Sequence, residues 1–154
     1  MGAAISEPRV LHLSALTGGA IREADGGRLG TVDDLIVRLG GAGYPPITGF
    51  LVTIAGRQSY LPSESVSDIA PGEVRLIKAK FDLRQFERRP EEVLLKHDVL
   101  DHQLINVDGA RLVRANEVEL ARVEGWWRVV GVDTGGRGAL RRLLPGPLGR
   151  RIAT

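Results

Sequence analysis

The sequence contains no cysteine at any of its 154 positions. Disulfide bonds, thiolate metal ligands and a cysteine nucleophile are therefore excluded, and the lack of disulfides fits a reducing compartment. Long apolar runs are also missing, because the longest, such as residues 50–52, cover only a few positions, whereas a bilayer-spanning helix needs about 20. The first residues lack the basic-then-apolar order of a secretory signal. We expect a cytoplasmic protein, in contact with a membrane only indirectly at its cytoplasmic face.

Acidic residues are absent from the end of the chain. All 19 of them lie at or before Asp133 together with 16 basic residues, so residues 1–133 carry a charge of −3, while residues 134–154 carry five arginines and no acid. A nucleic-acid-binding domain has basic residues arrayed over a folded face rather than concentrated in a tail. We therefore expect no specific nucleic-acid partner.

Turn-forming residues are what the sequence has in quantity, with 20 glycines and 8 prolines. They separate short runs of β-branched and apolar residues through the first eighty positions, a pattern that predicts five or six short strands in a small barrel or sandwich. The apolar share of 43% and the charged share of 26% are those of a folded globular domain. The predicted fold class is mainly β.

A glycine-rich hexapeptide occurs twice, as DGGRLG at residues 25–30 and as DGARLV at residues 108–113, an offset of 83. Residue class is kept over about thirty positions around it, and at an offset of 82 residues 47–50 correspond to residues 129–132. We interpret this as an internal duplication of a strand–turn–strand–strand unit. The second copy stops after Asp133, which predicts a half-barrel whose open edge is covered by the first copy, by residues 81–100 or by another chain.

The repeated glycines themselves favour a turn over a phosphate cradle. A phosphate site needs a strand before the glycines and a helix after them, so that backbone N–H groups face the phosphates. Here the following residues are strand-like and no Lys-Ser or Lys-Thr pair is present. Asp25-Gly26 and Asp108-Gly109 are typical of hairpin turns, in which glycine adopts a positive φ at low cost. We expect no bound cofactor at either position.

The organisation that follows has four parts: a first repeat at residues 10–80, a connector at 81–98, a second repeat at 99–135 and a basic tail at 136–154. In the connector, Asp82 is placed to cap a short helix that Pro90 would interrupt, and residues 91–100 are compatible with helical turns or an irregular path. In the tail we expect a short helix over residues 139–144, followed by a linker.

Two groups of residues, one of aspartates and one of aspartates and histidines, are candidate metal ligands. Asp33 and Asp34 could bind Mg²⁺, but neighbours on a strand point to opposite faces, so a structural role such as capping a strand end or pairing with Arg28 and Arg111 is favoured. The second group is His97, Asp98, Asp101 and His102. On a helix these would form two i,i+4 pairs, but two ligands on a face fall short of a zinc shell. We favour a solvated connector, and no catalytic residue is assigned because the sequence has no nucleophile elbow.

Trp126-Trp127 is conspicuous in a chain with only seven aromatic residues. Adjacent residues on a strand face opposite ways, so we expect one ring to fill the core and the other to lie outward, where it covers a sheet edge or contacts a partner. Arg141 and Arg142 in the basic tail are the other candidates for partner contacts.

The sequence resembles the PRC-barrel family, named from the H subunit of the photosynthetic reaction centre and also found in a ribosome-maturation factor. The resemblance lies in residues 13–18 (LSALTG), 29–34 (LGTVDD) and 48–52 (TGFLV), covers about residues 10–78 and extends more weakly over 99–133. It implies a small β-barrel that acts as a docking or assembly module without catalytic residues.

A narrower resemblance lies in residues 86–95 (FERRPEEVLL) followed by Val99-Leu100-Asp101. This stretch is similar to the N-terminal region of actinobacterial proteins related to MgtE-type magnesium transporters, in which a helical domain and a pair of CBS domains follow. The resemblance implies the N-terminal part of a longer regulatory protein, with a protein partner, further domains of the same chain or a second copy as its contacts. The alternative, by analogy with the maturation factor, is a ribosome- or RNA-associated binding module.

Overall fold

The computed structural model describes residues 9–77, 84–100, 103–106, 111–134 and 140–142, with the backbone alone for 103–106, 111–113 and 140–142. Strands make up most of this part of the chain, so the predicted mainly β fold is confirmed. The strands are β1 Leu11–His12, β2 Ala20–Arg22, β3 Arg28–Arg38, β4 Ile47–Ile54, β5 Arg57–Pro62, β6 Val66–Ala70, β7 Glu73–Leu76, β8 Glu92–Leu94, β9 Gln103–Asn106, β10 Arg111–Arg114, β11 Glu117–Val123, β12 Trp126–Asp133 and β13 Leu140–Arg142. The described helical elements are a short α-helix, α1, at Leu13–Leu16, a 3-10 turn at Ser63–Ser65 and a π-helical turn at Leu95–Val99.

The larger sheet is organised by β3, its longest strand. β4 pairs antiparallel along most of β3, while β2 pairs with its first residues and β8 with its last. β7 lies parallel to β2, giving the order β5-β4-β3-β2-β7-β6. The edge strands β5 and β6 are not paired with each other among the described residues, so no closed barrel forms there. The outer edge of β5 instead meets Arg84, whose carbonyl oxygen accepts a 2.7 Å hydrogen bond from the N–H of Tyr60.

The smaller sheet has the order β1-β11-β12-β13, and β9 and β10 form a separate antiparallel pair. The predicted helix over 139–144 is wrong at residues 140–142, which form β13 on the edge of β12. A helix of six residues gains too few hydrogen bonds to offset its nucleation, whereas the edge of β12 supplies partners at once. β13 also occupies the place that β5 has in the larger sheet, since Arg142 pairs with Gly131 as Pro62 pairs with Gly49.

The predicted connector contains less helix than expected. Asp82 and Leu83 lie outside the described residues, and residues 85–89 carry no regular structure. The chain then enters β8, which adds to the end of β3, and continues directly into the π-helical turn. Residues 91–100 therefore combine a strand with a helical turn, because the last residues of β3 offer unpaired backbone groups that β8 satisfies.

The two halves of the chain share one pattern of strand pairing. Four pairs of β3 with β4 have counterparts in β11 with β12 at offsets of 83 for the first strand and 82 for the second, and both strand pairs shift register before the fourth pair. In the larger sheet the pairs are Asp34 with Leu51, Leu35 with Phe50, Ile36 with Gly49 and Val37 with Ile47; in the smaller sheet they are Glu117 with Asp133, Val118 with Val132, Glu119 with Gly131 and Leu120 with Val129. Residues that correspond in sequence between the two halves therefore occupy equivalent positions in the strand pairing, and the register shift occurs at the same place in both sheets.

Each half contributes its first segment to the sheet of the other half. β1 and α1 pair with and pack on β11, 108 or so residues along the chain, whereas β8 and the π-helical turn pair with and pack on β3. The registers again agree, at an offset of 82 for the segments and 83 for the strands that receive them, since Leu11 lies opposite Leu120 as Val93 lies opposite Val37. The two segments are reciprocally exchanged.

The helical turns that follow these segments differ by one residue. In α1 the N–H of Thr17 donates to the carbonyl of Leu13, four residues back, while the N–H of Leu100 donates to the carbonyl of Leu95, five residues back, at 2.8 Å. The offset between the halves is 82 before the turn and 83 after it. One additional residue within the turn accounts for both facts, because widening an α turn to a π turn absorbs an insertion without shifting its flanks.

The halves meet at Pro46 and Arg128, which form an isolated antiparallel bridge. These two residues correspond to each other at the offset of 82, and a bridge between equivalent residues is what a two-fold axis produces. Together with the exchanged segments, this bridge relates the halves by an approximate two-fold rotation. Leu13, Leu16, Leu95 and other exchanged side chains are buried in one hydrophobic core with residues of both sheets. Burying each such leucine stabilises the fold by about 1.5–3 kcal/mol.

Candidate functional site

Asp25 and Gly26 lie in the tight turn that joins β2 to β3. Gly26 has a φ of 96°, its N–H donates to the carbonyl of Glu23 at 2.9 Å, and the Oδ1 atom of Asp25 accepts a 2.8 Å hydrogen bond from the N–H of Gly27. A strand follows this turn, so no helix N-terminus points at it. Asp108 and Gly109 lie outside the described residues, between the paired strands β9 and β10.

Asp33 and Asp34 face different partners: the bulge of β3 leaves Asp33 out of the pairing with β4, whereas Asp34 lies opposite Leu51. The Oδ2 atom of Asp33 accepts a 2.5 Å hydrogen bond from the hydroxyl of Thr53. Asp34 is only 4% exposed, and its carboxylate accepts from the backbone N–H groups of Lys96 at 2.7 Å and His97 at 2.9 Å, as well as from its own neighbour Leu35. The expected pairing with Arg28 is not what holds it, because these backbone donors satisfy the carboxylate.

The carboxylate of Asp34 therefore caps the exchanged π-helical turn. Burial raises the pKa of Asp34, and the three backbone N–H donors oppose that increase without cancelling it. Glu117 is the equivalent residue in the other half, and it accepts from the backbone N–H of Ser14 at 3.1 Å and from the Ser14 hydroxyl at 2.6 Å. Each half thus uses one carboxylate to hold the segment received from the other, which is a structural use of both acids.

His97 and Asp98 are in contact, whereas Asp101 and His102 lie outside the described residues. The Asp98 carboxylate accepts from the backbone N–H of Leu94 at 2.8 Å, from the ring of His97 and from the guanidinium of Arg88. Partial burial would raise the pKa of Asp98, but these hydrogen bonds together with the charge of Arg88 hold it below its usual value. Within the described residues no three or more His, Asp or Glu side chains are grouped as a metal site.

Trp126 and Trp127 begin β12, immediately after a turn in which Glu124 and Gly125 have φ of 53° and 81°. The two rings divide as the strand alternation predicts: Trp126 is 51% exposed, whereas Trp127 packs against the core. Because paired strands hold the backbone on both sides of this turn, the exposed ring stands on a rigid support.

Two clefts adjoin the exposed ring of Trp126. The first, called the apolar cleft for its walls of Phe50, Val66, Ile69 and Trp127, has a volume of about 180 Å³ and is also lined by polar residues, Asp68 and Arg122 among them. The charged cleft, of about 260 Å³, is lined among others by Arg38, Tyr60, Arg89, Glu92 and Arg128. Ile47, Ser63 and Trp126 line both clefts. The two clefts are therefore one continuous surface divided by an indole ring.

Arg128 fixes the boundary between the halves. Its Nη1 atom donates a 2.9 Å hydrogen bond to the carbonyl of Tyr44, and its Nε atom is buried without an acceptor.

Burial raises the pKa of Tyr60, and the negative charge of Glu92 adds to that increase. Arginine donors and one neutral phenol thus face the charged cleft together.

The sequence interpretation did not identify either cleft as a site. Their walls come from β3, β4, the 3-10 turn and the segment before β8, which are far apart in the chain. The pair of tryptophans beside Arg128 was the signal that pointed to this surface. Arg141 and Arg142, the other predicted contacts, lie in β13 opposite Val132 and Gly131.

Comparison with protein-family models and with curated proteins finds no match for this chain. In the described part of the chain no helix has the length and apolar character that crossing a bilayer requires.

Proposed function

We propose that this chain is a non-catalytic docking or assembly module of the PRC-barrel kind. The observation that carries the proposal is Trp126, a large apolar ring that is 51% exposed on a hairpin between two clefts. Tryptophan is among the residues that most often supply the central binding energy of protein interfaces. A ring that a rigid strand holds outward loses little conformational freedom on binding.

The use of the acidic side chains supports a structural rather than a chemical role for them. Asp34 and Glu117 hold the exchanged segments through backbone N–H groups, and Asp98 is engaged by Arg88 and His97. A general acid or base must instead reach a proton of a bound substrate. These carboxylates are engaged within the fold.

The PRC-barrel resemblance at residues 10–78 and the matched registers of the two halves support a duplicated half-barrel as the architecture. The resemblance at residues 86–95 supports the narrower proposal that the chain is the N-terminal regulatory part of a longer magnesium transporter-related protein. Its partners would be a further domain of that protein, another protein or a second copy of the chain.

Affinity isolation with the wild-type chain and the Trp126→Ala variant tests this function. We expect the wild type to retain a protein that the variant loses, and the purified protein to bind the wild type in calorimetry. Arg57→Ala, which removes an exposed charge from β5 outside both clefts, is the matched control. Retention of the same proteins by the wild type and by Trp126→Ala would contradict the proposal. Binding of RNA at physiological salt would favour the maturation-factor alternative.

A further inference from the structure

The apolar cleft beside Trp126 has the size of a site for one apolar side chain, and Phe50, Val66 and Ile69 give it apolar walls, although Asp68 and Arg122 also line it. Its volume is about 180 Å³, and a cavity of about 150 Å³ with apolar walls accommodates a benzene ring. Phe50 and Ile69 in its wall are almost fully buried, so the backbone around them is fixed by the core. A side chain that enters this cleft therefore meets a preformed surface.

The charged cleft on the other side of the ring has a surplus of arginine donors. Arg38, Arg89 and Arg128 line it with Glu64 and Glu92, so three positive charges face two negative ones. Among the described residues none of these arginines is within 4 Å of a carboxylate in an ion pair.

Arg128 in particular has donor capacity that the described part of the fold leaves unused. Its Nη1 atom is occupied by the carbonyl of Tyr44, but its Nε atom is buried with no acceptor. A buried donor that lacks a partner is unfavourable. A guanidinium pairs best with a carboxylate, to which it can donate two parallel hydrogen bonds.

We propose that the two clefts form one receptor for a partner segment that presents an apolar side chain and, a few residues away, a carboxylate. The apolar side chain occupies the apolar cleft, the segment crosses the Trp126 ring, and the carboxylate accepts from the exposed guanidiniums of Arg38 and Arg89, with the charge of Arg128 beside them. This inference rests on the proposed docking function and names the chemistry of the partner. A free anion would satisfy the arginines alone, whereas a segment with both groups uses the whole surface.

Blocked hexapeptides with one leucine and one glutamate, separated by one, two or three serines, are the probes. Each is titrated to about 5 mM into ¹⁵N-labelled protein, because short flexible ligands bind weakly, and the indole N–H signals of the two tryptophans are followed by NMR. We expect at least one spacing to shift the Trp126 signal in a saturable manner and to leave the Trp127 signal nearly unchanged. Replacement of the glutamate by glutamine, or of the leucine by alanine, should weaken binding about tenfold.

Protein variants separate the two clefts. Arg38→Ala combined with Arg89→Ala removes two exposed guanidiniums, and we expect it to weaken binding of the glutamate peptide several-fold and to leave the weaker glutamine peptide unaffected. Arg57→Ala is the control for loss of an exposed charge, and it should change neither affinity. Binding of both peptides with equal affinity by the wild type would overturn the assignment of a carboxylate.

The outcomes also distinguish this inference from the docking function beneath it. If a purified protein partner binds in a Trp126-dependent way but no peptide shifts the Trp126 signal, the acidic and apolar chemistry is wrong while docking stands. If neither a protein partner nor any peptide binds, both the docking function and the proposed partner chemistry are wrong. If the Trp126 signal shifts with protein concentration in the absence of peptide, the surface binds a second copy of the chain and the peptide receptor is overturned.

Discussion

Removal of the Asp34 carboxylate should destabilise the protein more than removal of its counterpart Glu117. Asp34 is 4% exposed and accepts three backbone N–H groups, two of them from the exchanged π-helical turn. Glu117 is only partly buried and accepts two backbone N–H groups together with a hydroxyl of Ser14. The same substitution at equivalent places therefore compares a buried cap with an accessible one.

The magnitude follows from the donors that are left without partners. Each buried N–H group without an acceptor costs about 1–3 kcal/mol. Asp34→Ala frees one buried N–H group, of Leu35, and two partly buried ones, of Lys96 and His97, so the low end of this range applies and gives about 3 kcal/mol. Relief of the buried charge, which the raised pKa of Asp34 indicates, recovers part of this cost. We expect a net loss of about 2–3 kcal/mol. For Glu117→Ala water reaches the freed donors, and a loss of about 1 kcal/mol or less is expected.

Urea unfolding followed by circular dichroism gives both free energies of unfolding by linear extrapolation. Hydrogen exchange at the amides of Lys96 and His97 locates the effect, because these two amides should lose protection in Asp34→Ala and keep it in Glu117→Ala. An equal or smaller loss for Asp34→Ala than for Glu117→Ala would refute the argument that the buried carboxylate holds the exchanged turn.

Three further predictions concern the titration of Asp34, the exchange of segments between the two halves and the additional residue in the π-helical turn. Burial raises the pKa of Asp34 above 3.8, so the native state takes up a proton at this carboxylate at a higher pH than the unfolded state does. The free energy of unfolding of the wild type, relative to that of Asp34→Asn, should therefore rise as the pH falls through the raised pKa towards 3.8. A decrease of this difference with falling pH, measured by urea unfolding, would contradict the prediction. A chain cut by an inserted protease site between residues 80 and 81 should remain one particle in gel filtration, since each half buries a segment of the other, and separation of folded halves would contradict the exchange. Deletion of exposed Lys96 from the π-helical turn should leave a four-residue turn like α1. The melting temperature should change by a few degrees at most, equivalent to about 1 kcal/mol. Loss of cooperative melting would contradict the interpretation that the π-helical turn contains one inserted residue.

Sequence reasoning succeeded where the deciding interactions are local. The turn at Asp25-Gly26 follows from the positive φ that glycine tolerates, and the opposite exposure of Trp126 and Trp127 follows from strand alternation. The offsets of 83 and 82 also match the backbone register of the two sheets. Each of these features can be predicted from residue type and spacing along the chain, without knowing which distant residues come into contact.

Features that depend on distant partners could not be predicted in this way. Leu11 in β1 pairs with Leu120, which is far away in the sequence. The local apolar pattern around Leu11 does not indicate that β1 joins the sheet of the other half. The strand at residues 140–142 was predicted as helix because only the edge of β12 makes it a strand. The charged cleft likewise joins Arg38, Arg89 and Arg128, which become neighbours only when the halves meet.

The most direct test of the docking function is calorimetric titration of the purified partner into the wild-type chain and into Trp126→Ala. Trp126 is half exposed, so its removal should leave the melting temperature of the chain nearly unchanged. The proposed function predicts that the dissociation constant rises at least about tenfold in the variant. Equal dissociation constants for the two proteins would contradict it.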